Sequence, residues 1–138
     1  PGVTIREDGT CSIKAGWYQK SNGKYFYRYK SGEIAKKTWI SKKGKKYYCD
    51  SKGYRVTGIK KIKGKKYYFD SKGVMKKGWV TYKDNRYYFA SNGTMKTGWL
   101  KYKGKKYYLQ SNGKMVHSKT IKIKGKKYKF NSKGHLVK

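Results

Sequence analysis

The sequence predicts an all-β fold, a solenoid of about six stacked β-hairpin repeats of ~20 residues each. Three observations carry that prediction. Tyr-Tyr pairs recur at 47–48, 67–68, 87–88 and 107–108, a step of 20 residues. Two glycine series keep the same step: Gly44, Gly64 and Gly104, with Asp84-Asn85 in the missing slot, and Gly53, Gly73, Gly93 and Gly113. Between them lie short runs of β-forming residues such as Trp79-Val80-Thr81-Tyr82 and Tyr87-Tyr88-Phe89.

Composition favours the same architecture. Lys and Arg number 38 against 6 Asp and Glu, a formal charge of +32, and aliphatic residues are scarce. High charge with few aliphatics is the mark of a disordered chain. Here 17% of residues are aromatic, 16 of them Tyr, and each buried ring supplies a large contact area. The chain therefore needs many small aromatic contacts in place of one deep core. No apolar run approaches the ~20 residues that span a membrane. The chain opens on Pro1 without a signal-peptide pattern and reads as a mature fragment or an excised module.

Residues 1–14 do not match the repeat and are expected to form an N-terminal cap or linker; residues 15–138 form the repeat domain, from Ala15-Gly16-Trp17 to Lys138. The outermost copies are displaced by one residue, with Gly23 and Gly32 upstream and Gly125 and Gly134 downstream. In the block 78–97 the strands meet at a two-residue turn read as Asp84-Asn85, and as Gly-Lys in the sister blocks. That turn predicts the pairs Lys83–Arg86, Tyr82–Tyr87, Thr81–Tyr88 and Val80–Phe89. Alternation then places Val80, Tyr82, Tyr87 and Phe89 on one face, and Trp79, Thr81, Lys83, Arg86 and Tyr88 on the other. The next block repeats this with Leu100, Tyr102, Tyr107 and Leu109 against Trp99, Lys101, Lys103, Lys106 and Tyr108. Lys60 interrupts the apolar face of the third block, which Ile62, Tyr67 and Phe69 keep. Each hairpin is followed by Ser-(Lys/Asn)-Gly, a turn signal, and then by Met75, Met95 or Met115 in a packing position. Single hairpins are marginal in water, so the repeats must stack to bury their faces.

Catalytic constellations are missing from this pattern. Asp50 and Asp70 share a register that later holds Ala90, Gln110 and Asn131, which reads as a turn position and not as a catalytic acid. His117 and His135 stand without partners at metal-ligand spacing. The expectation is a chain with no enzymatic activity, cofactor or metal. For Cys11 and Cys49 two readings stand, a disulfide or two unrelated small buried residues.

The functional candidates lie on the second face, in the grooves between successive repeats. Trp79 with Tyr88 and Trp99 with Tyr108 lead. Trp39 with Tyr48 follows, weakened because Ile59 interrupts the neighbouring register, and Trp17 and Tyr68 complete the set. Lys66, Arg86, Lys101 and Lys106 are auxiliary basic residues. Flat rings stack on sugars, and lysines bond hydroxyls or pair with phosphate. The competing reading is that the Trp rings pack on the next hairpin while the lysines keep the protein soluble. Stacked hairpins must bury something, so about half of these aromatics are expected to be packing; Tyr47, Tyr67, Tyr87 and Tyr107 are assigned to it outright.

The order Gly-Trp, short turn, Tyr-Tyr-Phe, (Asp/Asn)-Ser-(Lys/Asn)-Gly, Met and Gly-Trp again resembles the cell-wall-binding repeat superfamily of Gram-positive bacteria and their phages. That superfamily includes choline-binding modules, the glucan-binding repeats of glucansucrases and the C-terminal repeats of clostridial toxins. The resemblance covers residues 16–138. It implies a left-handed superhelix of hairpins in a secreted or cell-surface protein, anchoring a separate catalytic or toxin domain to a surface polymer. The chain departs from the choline-binding pattern at one position. Where that pattern has a second Trp before the Tyr-Tyr pair, this chain has Lys46, Lys66, Arg86, Lys106 and Lys127. A cation there opposes a quaternary ammonium ligand, which ranks carbohydrate first, with a polyanion (teichoic acid, sulfated glycan, nucleic acid) or choline as alternatives. Non-specific nucleic-acid binding at low salt is expected from charge alone.

Overall fold

The computed structural model describes residues 3–5 and 11–137, with side chains from residue 14 onward. Among these residues every regular element is a strand. Strands β1 (Val3–Ile5) and β2 (Cys11–Ile13) pair antiparallel ahead of the repeats. Six hairpins follow: β3 (Gly16–Gln19) with β4 (Tyr25–Arg28), β5 (Thr38–Lys42) with β6 (Lys45–Cys49), β7 (Gly58–Ile62) with β8 (Lys65–Phe69), β10 (Gly78–Tyr82) with β11 (Asn85–Phe89), β12 (Gly98–Tyr102) with β13 (Lys105–Leu109), and β14 (Lys119–Ile123) with β15 (Lys126–Phe130). Short strands β9 (Met75–Lys76) and β16 (Leu136–Val137) extend the third and sixth hairpins to three strands. The chain divides into two compact units, residues 1–60 with 69–75, and residues 61–68 with 76–138.

The turns correct the predicted register. Tyr82 pairs with Asn85, Thr81 with Arg86, Val80 with Tyr87 and Trp79 with Tyr88. The two turn residues are Lys83-Asp84, and in the sister hairpins Lys43-Gly44, Lys63-Gly64, Lys103-Gly104 and Lys124-Gly125. The cause is the turn type. A type I′ turn matches strand twist but needs positive φ at both central residues. Lys83 has φ 48° and Asp84 66°; Lys103 has 47° and Gly104 77°. Glycine therefore belongs at the second central position, so the tip reads Lys-Gly and not Gly-Lys. The slip moves both strands by one, which preserves parity. Each side chain stays on its predicted face but gains a different partner, and that is what brings Trp79 opposite Tyr88.

The one-residue displacement of the outer repeats also has a structural home. Lys37 (φ 49°) and Ser118 (φ 54°) take left-handed conformations just before β5 and β14. Their N–H groups donate to the carbonyls of Asp50 and Asn131, at 3.0 and 2.9 Å. The extra residue is absorbed there, and the hairpin after it keeps its register.

Burial follows the repeat. The last residue of the second strand is fully buried in five hairpins: Cys49, Phe69, Phe89, Leu109 and Phe130. Removing such a side chain from water stabilises by about 1.5–3 kcal/mol. In the first unit Ala35, Ile40 and Cys49 form a core flanked by Trp17, Tyr27 and Tyr47; in the second, Tyr107, Leu109 and Met115 are flanked by Trp79, Tyr88, Leu100 and Tyr102. Lys60 is exposed and Ile62 buried, as the sequence predicts. Backbone bonds tie neighbouring hairpins together: Met115 N–H donates to Arg86 O and Met95 N–H to Lys66 O in the second unit, and Arg55 N–H to Tyr25 O in the first.

The turn after each hairpin explains the variable acidic register. Asp50 Oδ1 accepts from the N–H groups of Lys52 and Tyr54, Asp70 Oδ1 from Lys72 and Val74, and Asn131 Oδ1 from Lys133 and His135. The glycine closing that turn is tightly packed in the second unit. A Cβ on Gly113, at φ +88°, would fall 2.4 Å from Met95 Sδ and 3.1 Å from Tyr87 Cδ2. Gly113→Ala is expected to cost about 2–4 kcal/mol, combining left-handed strain with overpacking. Gly104→Ala, at a turn tip where a Cβ meets nothing within 4 Å, should cost only the strain, about 1–2 kcal/mol. Equal drops in thermal midpoint for the two variants would contradict this packing.

Candidate functional site

Register places an indole opposite a phenol in four hairpins. Trp17 faces Tyr27, Trp39 faces Tyr48, Trp79 faces Tyr88 and Trp99 faces Tyr108. The ring centroids lie 5.2, 5.3, 5.1 and 5.2 Å apart in edge-to-face geometry, worth roughly 0.5–1.5 kcal/mol per pair beyond area burial. The four indoles then diverge. Trp17 and Trp79 are half-buried. Trp39 and Trp99 are the most exposed, at 36% and 39%.

In the second unit each pair meets the hairpin that follows. Trp79 lies 5.9 Å from Tyr102 and 4.8 Å from Tyr107, and Tyr88 lies 5.7 Å from Tyr102. Trp79, Tyr88 and Tyr102 thus form one packed ring cluster at the junction of the two hairpins. Trp99 repeats this one step on, 4.9 Å from Tyr128 and 5.9 Å from Phe130. The Trp99 groove opens into a cavity of about 420 Å³ lined by Trp99, Leu100, Lys101, Lys106, Tyr128 and Leu136. Tyr102 and Tyr128 escape the sequence reading, which places Tyr102 on the packing face. The signal was there: if sites lie between hairpins, the packing face of the next hairpin must supply one wall.

The basic residues are not equivalent. The Arg86 guanidinium sits 4.6 Å over the Trp79 ring, so the chain's own cation already occupies that face. Lys101 and Lys106 are cross-strand partners on the wall of the Trp99 cavity. Lys66 lines a separate basic cavity of about 450 Å³ with Lys61 and Lys65. Tyr68 packs on Tyr82 and Phe89, at 5.4 and 6.1 Å. In the first unit Trp39 packs on Tyr48 and Phe69. Trp17 is held between Tyr27 and Tyr47 with its Nε1–H buried and without a partner. Tyr54 is drawn below the usual tyrosine range by a hydrogen bond with Asn22 and then by the nearby Lys20 charge.

His135 packs edge-on against Tyr107 at 5.2 Å, and His117 Nδ1 lies 3.3 Å from Ser118 Oγ. Among the described residues no three His, Cys, Asp or Glu side chains gather at metal-ligand distance. Cys49 is a buried free thiol, and burial pushes its pKa up to about 11, a structural and unreactive setting. The side chain of Cys11, the other member of the two-reading pair, lies outside the described residues.

Short hairpins that hold indole–phenol pairs against the next repeat, with lysines along the rim, define a tandem binding module. Comparison with known proteins places it further. The family model for the choline-binding repeat matches residues 56–97 and 78–119, and that for the putative cell wall binding repeat matches 37–55. The chain belongs to this cell-wall-binding, choline-binding repeat family. Among solved structures it resembles CbpJ from Streptococcus pneumoniae TIGR4, with 31% identity and a TM-score of 0.83 over 91% of this chain and 43% of that one. Choline binding protein F from Streptococcus pneumoniae gives 34% identity and a TM-score of 0.82, over 99% and 51% of the two chains. The modular Cpl-1 endolysin, solved in complex with a peptidoglycan analogue, gives 37% identity and a TM-score of 0.64, over 89% and 37%. The chain thus spans about half the length, or less, of these structures. No curated protein sequence matches it.

Proposed function

We propose that the chain is the non-catalytic anchoring module of a larger secreted or cell-surface protein, bacterial or phage, and that it binds cell-wall polymer in aromatic grooves between repeats. The observation that carries this reading is the Trp99 groove: an exposed indole, flanked by Tyr108 and Tyr128, on the wall of an open cavity of about 420 Å³. Aromatic faces around a small volume suit a quaternary ammonium, and the family match raises choline above its rank from sequence alone. Lys101 and Lys106 beside the rings oppose a bare cation. A phosphate polymer bearing choline, such as a substituted teichoic acid, answers both features: the headgroup takes the rings and the phosphate takes the lysines. Proteins of this family solved with peptidoglycan analogues, choline binding protein F and the Cpl-1 endolysin, support a wall ligand. The second reading is carbohydrate. Arg86 over Trp79 favours it at that groove, because a filled ring face refuses a cation while hydroxyls can still bond the guanidinium.

A thermal-shift panel with choline, purified cell wall, dextran, starch and heparin at two salt concentrations tests the proposal. The midpoint is expected to rise with cell wall and with millimolar choline, and the choline effect should barely depend on salt. Heparin binding should fall steeply with salt, because counterion release drives it. Stabilisation by dextran or starch without choline would select the carbohydrate reading. No stabilisation by cell wall would overturn the proposed role.

A further inference from the structure

One repeat departs from the others at the position two residues after the turn glycine. That register holds Ile34, Arg55, Met75, Met95, Met115 and Leu136. Met95 and Met115 run beneath the glycine of the next repeat, so that a Cβ on Gly113 or Gly134 would fall 2.4 or 2.6 Å from their sulfur atoms. Arg55 follows the same path in the first unit, where a Cβ on Gly73 would fall 2.6 Å from its Nε. Its stem replaces the methionine, and its guanidinium reaches farther. The guanidinium carbon lies 4.1 Å from the Tyr25 ring centroid, 5.1 Å from Trp17 and 5.6 Å from Tyr47. Three rings around one cation form a cation cage, and here the chain fills it from within.

The filled cage borders an open space. Arg55 lines a cavity of about 330 Å³ together with Lys24, Tyr54, Thr57, Lys60 and Ser71. A guanidinium packed on aromatic faces still carries N–H donors in its plane, and their fork matches a tetrahedral oxyanion. The Lys24 ammonium is steadied over the Tyr54 ring at 5.0 Å. Asp50 also stands on the wall, but its Oδ1 is committed to the N–H groups of Lys52 and Tyr54, both at 2.9 Å. Three cations, Arg55, Lys24 and Lys60, outnumber this one carboxylate on the wall, which also carries Tyr54, Thr57 and Ser71.

We propose that this groove is an oxyanion site for the phosphate group of a phosphate ester, held by the Arg55 fork with Lys24 and Lys60, and that the same arginine bars quaternary ammonium from the ring cage it occupies. The site goes beyond the proposed function: it lies in the first unit and uses neither Trp79 nor Trp99.

The test must be site-resolved, because a chain of charge +32 attracts phosphate everywhere. ¹H–¹⁵N spectra of the whole chain, titrated with inorganic phosphate at constant ionic strength set by sodium chloride, should show saturable shifts at the Arg55 Nε–H and at the Thr57 and Ser71 amides. Arg55→Met, which installs the residue that three later repeats carry at this register, should abolish the Thr57 and Ser71 shifts. Arg55→Lys, which keeps the charge but loses the fork, should weaken them at least about tenfold. The charge-matched Lys122→Met should leave them unchanged. Tetramethylammonium should not move the Trp17 indole signal in the unaltered chain. Phosphate shifts that persist in both Arg55 variants, absence of saturation in the unaltered chain, or a saturable Trp17 response to tetramethylammonium would each overturn the assignment. Trp99→Ala separates this site from the wall-polymer reading: it should abolish the choline response and leave the phosphate titration intact.

Discussion

Trp99→Ala is expected to weaken binding to purified cell wall by at least about 30-fold, the scale of a hot-spot residue contributing ~2 kcal/mol. The indole is one wall of the groove and the platform against which Tyr108 and Tyr128 are set, at 5.2 and 4.9 Å. Truncation removes the ligand-facing ring and also releases the two phenols that complete the enclosure. The fold should survive, because Leu109 is fully buried in the cluster with Tyr107 and Met115 and the pairing of β12 with β13 does not depend on one ring, although Phe130 loses the indole that packs on it. The mutation should therefore separate binding from folding. Trp99→Phe keeps an aromatic face and should recover part of the affinity. Calorimetry on cell-wall fragments gives the loss, and unchanged amide dispersion for Leu109 and Met115 shows that the array is intact. Undiminished binding by a folded Trp99→Ala protein would remove this groove from the function.

Why the groove was only half legible in the sequence follows from where its walls originate. The pair Trp99–Tyr108 belongs to one hairpin, and local periodicity exposes it directly. Tyr128 comes from the next hairpin, where it pairs with Ile121 as Tyr107 pairs with Leu100, and that register reads as packing. Tyr102 at the preceding groove was hidden for another reason. Alternation sorts the faces of one hairpin into apolar and polar, but stacking presses the polar face of one repeat onto the apolar face of the next, and a residue on the packing face can also be a wall. The fold itself was easier to read, because glycine spacing and paired tyrosines encode hairpins at short range. The turn was misplaced by one residue for want of a single chemical argument, that the second central position of a type I′ turn needs glycine more than the first. The predicted faces survived that error because both strands slip together. Arg55 carries no signal in sequence because its register reads as a packing position in the later repeats; the three rings around it reveal what the substitution does.

Affinity is expected to rise with ligand chain length by about 10²–10⁴, the gain that linking successive contacts on one polymer can supply. Within the second unit two ring clusters follow each other along the repeat, Trp79–Tyr88–Tyr102 and Trp99–Tyr108–Tyr128, and each is expected to offer one contact to a polymer. Each is shallow and lined partly by hydrated cations, so a single headgroup or sugar buries little surface and should bind only in the millimolar range, about −4 kcal/mol. A polymer held by a headgroup at Trp99 presents its neighbouring hydroxyls to the Arg86-capped Trp79 face at high effective concentration. Truncation after Thr97 removes β12 to β16, and with them Trp99, Tyr108, Tyr102 and Tyr128. That truncation takes one site entirely and the Tyr102 wall of the other, so the shortened chain should lose most of its affinity for polymer. In the intact chain, Trp79→Ala and Trp99→Ala should each remove more affinity for polymer than for monomer, because each breaks the linkage as well as one contact. Calorimetry with a monomeric ligand and with defined oligomers of increasing length measures the ratio directly. A ratio near one, per binding unit, would mean that a single pocket does the binding and that the repeated grooves do not act together.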